Sequence, residues 1–359
     1  MSATYESLID GRAGQLSVGR PARSAARLHE DEPTVLVRVL PVVCPKPSGS
    51  VSERVGKALV SLRGGNRAER MLAARALGDV AFVEGHRVPE AVIPLTVTLK
   101  SDVDPAVRQE AAWSLWKLSD ERAHRPLIAA LVGDRSTRVR EKAARALGLM
   151  GVRDAAPVMM DLIALGKHVP ARLRAALAAS LGFLAEEGAL PLLFDAAEDA
   201  EPAVRLEAVH SLGRYLIDFK EEVKNRSFAR LSRYIQARKE PQPVIRQAAI
   251  KALRLSPEER ANIAVARAAV QDPDSATREL AAEALVLWDS EHSERALIEM
   301  LADDVWSVRK AAARSLARFI SRYGVHASGA ACEALSRIVR MFPSSSKERR
   351  LAEDVISSL

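Results

Sequence analysis

The sequence predicts an all-α solenoid of about eight stacked helix pairs, and three observations carry that reading. One phrase, seen as "DRSTRVREKAARALGLM" at residues 134–150, recurs with an arginine followed seven residues later by leucine and small residues between. Eight windows fit: the arginines are Arg70, Arg108, Arg140, Arg174, Arg205, Arg246, Arg278 and Arg309, and the leucines Leu77, Leu115, Leu147, Leu181, Leu212, Leu253, Leu285 and Leu316. Successive arginines stand 38, 32, 34, 31, 41, 32 and 31 residues apart. Such a period means that each unit has an apolar face that only its neighbours can cover. Finally, 48% apolar and 28% charged residues supply both a core and a solvated face.

Taken in chain order, residues 1–57 stand outside the repeat. "SVGRPARSAARLHEDE" is expected as a solvated arm with the cluster Arg20, Arg23 and Arg27, and the β-branched run Thr34 to Val43 as an extended segment or strand. Such a segment caps the first repeat or pairs with a sheet edge elsewhere. Residues 58–320 form the solenoid. First helices read "RPLIAALVGD" (125–134), "APVMMDLIAL" (156–165), "LPLLFDAAED" (190–199) and "RALIEMLADD" (295–304), with apolar residues recurring at three and four. Second helices start at Asp104-Pro105, Glu201-Pro202 and Gln242-Pro243, where proline at the first helical position loses no hydrogen bond; Ser136 and Asp274 hold the same cap position. The small pairs, such as Ala143-Ala144, let adjacent helices approach, so a large residue at Ala144 overpacks the seam. Residues 321–359 are closing helices, "ACEALSRIVRMF" (331–342) and "SKERRLAEDVISSL" (346–359), which shield the last apolar face.

These phrases resemble the HEAT repeat superfamily, in the short bacterial and archaeal form also called the phycobilisome-lyase HEAT-like repeat, over residues 58–320. The resemblance implies helix pairs whose second helices line a concave surface, and functions ranging from scaffolds and adaptors to a few enzymes. It also gives a structural meaning to the acids six residues before the repeat arginines, Asp102, Asp134, Asp199, Asp272 and Asp303, with Glu240 in the sixth unit and His168 in the fourth. In the family, acids and arginines at these places interleave between neighbouring units as a ladder, each partly buried bond contributing about 1.5–3 kcal/mol.

The position after the small pair is expected to point into the concave surface. It reads Arg75, Trp113, Arg145, Ala179, His210, Lys251, Glu283 and Arg314. We take Arg75, Trp113, Arg145, His210, Lys251 and Arg314 as the partner-binding strip, with Trp113 as an aromatic anchor and Arg145 as its charged neighbour; stacking of Trp113 with Trp116 in a core is the competing reading. Trp288 and Trp306 are expected to pack. A second region is the charge concentration at residues 214–260, twelve Lys or Arg against six acids, which carries most of the chain's net +7. There Lys224, Arg226, Arg230, Arg233, Arg238 and Lys239 form a basic patch suited to an acidic element or phosphate, or a solvated face; Arg226, Arg230 and Arg233 share one helical face, and Phe228, Leu231, Tyr234 and Ile235 lie on others suited to burial.

Chemistry leaves few marks. The seven histidines show no HxH or HExxH spacing, and the one His-Glu dipeptide, His29-Glu30, lies in the arm, whereas iron enzymes on similar folds use several such pairs. Phosphate-loop and GxSxG signatures are absent, and no metal or cofactor is expected. Cys44 and Cys332 form no CxxC or Cys/His cluster, which fits a reducing, cytoplasmic setting. The longest run without Asp, Glu, Lys or Arg, Ala175 to Ala185, is too short to span a bilayer. The expected function is therefore a non-enzymatic protein-binding scaffold or adaptor. Nucleic-acid binding is the alternative, and a bilin lyase-like enzyme a further one, although nothing marks a tetrapyrrole pocket. With 4% aromatic residues and a single basic patch, base stacking has little to work with.

Overall fold

The computed structural model describes residues 49–217, 219–324 and 330–358. The extended segment Thr34 to Val43, the arginine cluster 20–27 and Cys44 lie outside the described residues. Among those described there are nine helix pairs and no strand. In order they are α1 Val51–Gly64 with α2 Arg67–Phe82, α3 Val92–Ser101 with α4 Pro105–Leu118, α5 His124–Gly133 with α6 Thr137–Leu149, α7 Ala156–Ala164 with α8 Ala171–Leu184, and α9 Leu190–Ala197 with α10 Pro202–Arg214. Then follow α11 Glu221–Tyr234 with α12 Pro243–Leu253, α13 Glu259–Gln271 with α14 Ser275–Leu285, α15 Glu291–Met300 with α16 Trp306–Tyr323, and α17 Ala330–Met341 with α18 Lys347–Ser358. The first eight pairs carry the repeat phrase, and the ninth falls where two further helices are expected.

Two boundaries differ from the sequence expectation. The first helix starts at Val51, not after residue 57, because Ser50 caps it by accepting the Glu53 amide at 3.2 Å. Ser50–Leu359 accordingly forms one compact unit. The expected helix 295–304 instead spans Glu291–Met300, since Ser290 caps the His292 amide and residues 301–304 turn so that Asp303 meets an arginine of the preceding unit. Of the anticipated caps, Asp104 and Asp274 accept amides, whereas Ser136, Glu201 and Gln242 sit at the position without a side-chain bond. At these three, as at the other two, the turn acid two residues earlier accepts the cap residue's own amide: Asp134, Asp199 and Glu240 accept those of Ser136, Glu201 and Gln242 at 2.8–2.9 Å.

Second helices pack directly on second helices of the next unit, from α2 to α18. All eight phrase leucines are completely buried, each contributing about 1.5–3 kcal/mol of transfer free energy. The small pairs Ala111-Ala112, Ala143-Ala144, Ala281-Ala282 and Ala312-Ala313 are equally enclosed. The closest approaches lie one turn further on, where glycine meets the next unit. A Cβ placed on Gly148 would stand 2.7 Å from the Ser180 Cα, and one on Gly182 would stand 2.2 Å from the Ser211 hydroxyl. Ser180 and Ser211 also donate to the carbonyls of Ala144 and Ala178, each at 2.9 Å, stitching α8 to α6 and α10 to α8.

The acid and arginine ladder is present, and it runs between units. Arg70, Arg108, Arg174, Arg205, Arg246 and Arg278 each donate two hydrogen bonds to the carboxylate of the following unit, Asp102, Asp134, Asp199, Glu240, Asp272 and Asp303 respectively, at 2.7–3.1 Å. The third donor position of most of these arginines reaches a turn carbonyl of its own unit, as Arg246 does to Glu240 at 3.0 Å. Arg246 and Asp272 retain 2% and 1% side-chain exposure, so this rung is sealed from water. Burial pushes the carboxyls of Asp102, Asp199 and Asp303 up, but the arginine N–H donors, a backbone amide and the guanidinium charge outweigh it and hold all three below the ordinary range. The ladder breaks once inside the stack. His168 replaces the acid of unit four, and Arg140 instead donates to the Leu131 carbonyl at 2.9 Å.

Candidate functional site: a strip on the second-helix layer

The strip positions fall on α2, α4, α6, α10, α12 and α16, one per unit, as the repeat register requires. Their environments differ. Arg75 on α2 is exposed and pairs with Glu110 of α4 at 2.8 Å. Trp113 on α4 is half-buried, its ring 4.4 Å from that of Trp116, which in turn lies 5.1 Å from Phe82. Lys142 brings a cation to it, its ammonium 4.5 Å from the Trp113 ring centroid, within cation–π range. Arg145 also makes ion pairs. Its guanidinium, 17% exposed, pairs with Glu141 on its own helix at 3.5 Å and reaches Glu207 on α10 at 3.3 Å. That reach spans α8, where the strip position is the buried Ala179 and offers no side chain in the way. Glu141 also accepts from Arg172 at 2.9 Å.

His210 is half-buried, and Lys251 is exposed on α12. Arg314 faces Glu348 of the closing helix α18 at 3.7 Å and so helps seat the cap. Three of the six expected contact residues, Arg75, Arg145 and Arg314, are thus tied to carboxylates of other units. Around the strip position Trp113, Trp116 and Lys142 complete a platform. Burial lowers the Lys142 ammonium below the ordinary lysine range, with the nearby Glu141 opposing the shift. Sequence register missed Lys142 because it occupies the second position after the repeat arginine, not the fifth, and a helix brings positions three apart onto one face. Trp288 packs as expected, donating to the Ser256 carbonyl at 2.9 Å. Trp306 does not. It is 46% exposed, with Phe342 on one side at 4.8 Å and Arg309 at 5.2 Å from its ring.

The basic patch lies on the first-helix layer. Arg226, Arg233, Arg238 and Lys239 are exposed, Lys224 and Arg230 half-buried, and Leu231, Tyr234 and Ile235 are buried with Phe228 partly so. The shared face of Arg226, Arg230 and Arg233 meets the previous unit: Arg226 and Arg230 lie 5.5 and 5.2 Å from the Phe194 ring, and Arg230 pairs with Glu198 at 2.7 Å. Arg233 stands 3.9 Å from the same carboxylate. One acid therefore offsets part of the patch. Among the described residues no three His, Cys, Asp or Glu side chains converge as metal ligands, and no helix is long and apolar enough to cross a membrane.

Comparison with known proteins places the repeats. The model of the HEAT-repeat family matches residues 92–169, 162–254 and 231–317. No curated protein matches the sequence. Among solved structures, the CpcE and CpcF complex of phycocyanin lyase from Nostoc sp. PCC7120 aligns at 21% identity and a TM-score of 0.45, covering 71% of this chain and 96% of that one. An engineered protein aligns at 19% identity and 0.44 over 86% and 91%. Human deoxyhypusine hydroxylase aligns at 20% identity and 0.33 over 75% and 97%.

Proposed function

The chain belongs to the HEAT-repeat family, and on that premise we propose that it is a non-enzymatic scaffold or adaptor that binds another protein through its second-helix strip. The observation that carries the reading is the Trp113, Trp116 and Lys142 platform, flanked by ion pairs that join α2 to α4 and α6 to α8 and α10. Partly exposed tryptophan beside a cation is the chemistry of interface hot spots, because a large rigid ring gains contact area at little entropic cost. The ion pairs contribute orientation more than affinity, fixing which groups remain free. A cytoplasmic setting, with no cofactor, accompanies this reading.

Affinity purification with mass spectrometry tests it. Proteins recovered with the wild-type chain should be lost with a Trp113→Ala, Lys142→Glu variant whose helicity is unchanged. Equal recovery by both would remove the strip from the account. The competing reading, nucleic-acid binding, draws on the basic segment 214–260. A salt titration against DNA and RNA separates the two, since phosphate contacts give a steep fall of affinity with salt.

A further inference from the structure

The lengthened repeat creates a second surface. The interval from Arg205 to Arg246 is 41 residues, and α11 is followed by an added turn through residues 235–242. Units one, three, four and five place glycine after the phrase leucine, against the next second helix, whereas unit six has Arg254 there. Between α11, the added turn and α13 lies a cleft of about 560 Å³, a volume typical of ligand sites. Its floor is apolar, built from Phe228, Ile235 and Ile263, the last 42% exposed. Three arginines line it: Arg238 from the turn, and Arg260 and Arg267 from α13.

These cations are not equivalent. Arg260 is committed to Glu258 and Asn225 and lies 4.3 Å from the Phe228 ring. Arg238 and Arg267 are exposed and, among the described residues, pair with no carboxylate. The acid in the cleft wall, Asp272, is held by Arg246. We propose that this cleft receives a segment of a partner protein in which a bulky apolar side chain is flanked by Asp or Glu. The apolar floor desolvates that side chain, and two free guanidinium forks at the rim are matched to carboxylates. Single-stranded nucleic acid fits less well. The aromatic faces nearby are covered by the chain's own arginines, Phe228 by Arg260 and Phe194 by Arg226 and Arg230, which leaves no open ring for a base. The cleft lies on the first-helix layer, so the proposal does not rest on the strip.

The experiment selects random displayed dodecapeptides on the full chain and titrates the enriched peptides by fluorescence anisotropy. Enriched sequences should place Asp or Glu around Leu, Ile or Phe, and bind more weakly as salt rises. An Arg238→Glu, Arg267→Glu variant, altered only at exposed positions and checked for unchanged helicity, should lose about tenfold or more in affinity, whereas Trp113→Ala should bind as the wild type does. Four results each overturn the proposal: no enrichment, enrichment without acids, unchanged binding to the arginine variant, or tighter binding of oligothymidine than of the selected peptides.

Discussion

The joint between units three and four and the joint between units six and seven hold the stack together by different means. At the first, no rung forms: Arg140 meets a carbonyl, and His168 stands where a carboxylate would be. Packing takes over. Residues 173–182 of α8 are buried without a break, Gly148 abuts Ser180, and the Ser180 hydroxyl donates to the Ala144 carbonyl. At the second joint the fully enclosed rung of Arg246 and Asp272 forms, Arg254 stands where unit three has Gly148, and a cleft opens on the other layer. Elsewhere the two devices coexist, as between units four and five, where Gly182 abuts Ser211 and Arg174 pairs with Asp199. A stack that mixes both devices can open a cleft at one joint while staying tight at another.

Acid should break this comparison most widely. The carboxyls of Asp102, Asp199 and Asp303 lie below their unfolded values, so their contribution is complete above the ordinary carboxylate range and is lost as pH falls through the lowered folded values. Denaturation followed against pH should show stability flat near neutrality and falling below about pH 4, where unfolded Asp begins to hold protons. Next in size, Arg246→Met strands a buried Asp272 and should cost about 3–5 kcal/mol in chemical denaturation. Gly148→Val forces a side chain onto the Ser180 backbone and should cost about 1–3 kcal/mol, with the loss localised to the third joint by hydrogen exchange.

The smallest change sharpens the contrast. His168→Asp offers Arg140 the missing carboxylate and should stabilise by about 1 kcal/mol or less. The gain is limited because each other rung acid also accepts the amide two residues on, and here that residue is Pro170, which has none. Calorimetry of this variant reads the effect directly.

Much of this architecture was legible in the sequence because the repeat is enforced at every unit. The arginine and leucine phrase, the turn acids and the prolines opening second helices each serve an identical neighbour contact, so one register predicts all of them. Even the missing rung was visible as His168. What escaped depends on contacts between units that no single repeat encodes. Arg145 reaches Glu207 two units on, past the small Ala179 of the unit between. Lys142 comes beside the Trp113 ring through helical geometry, not through repeat register. Trp306 was read as packed, yet it lies at the start of α16, where one side meets solvent. The cleft follows from how two first helices separate, of which the sequence shows only a longer interval.

A double-mutant cycle on Arg246 and Asp272 bears most directly on the claim that the rung locks one unit to the next. Arg246→Met and Asp272→Leu should each destabilise strongly, and together they should cost less than their sum by about 2 kcal/mol, since the double variant leaves no buried charge alone. Additivity within about 0.5 kcal/mol would mean that the two side chains do not act as a pair, and the account of how the units are joined would fail.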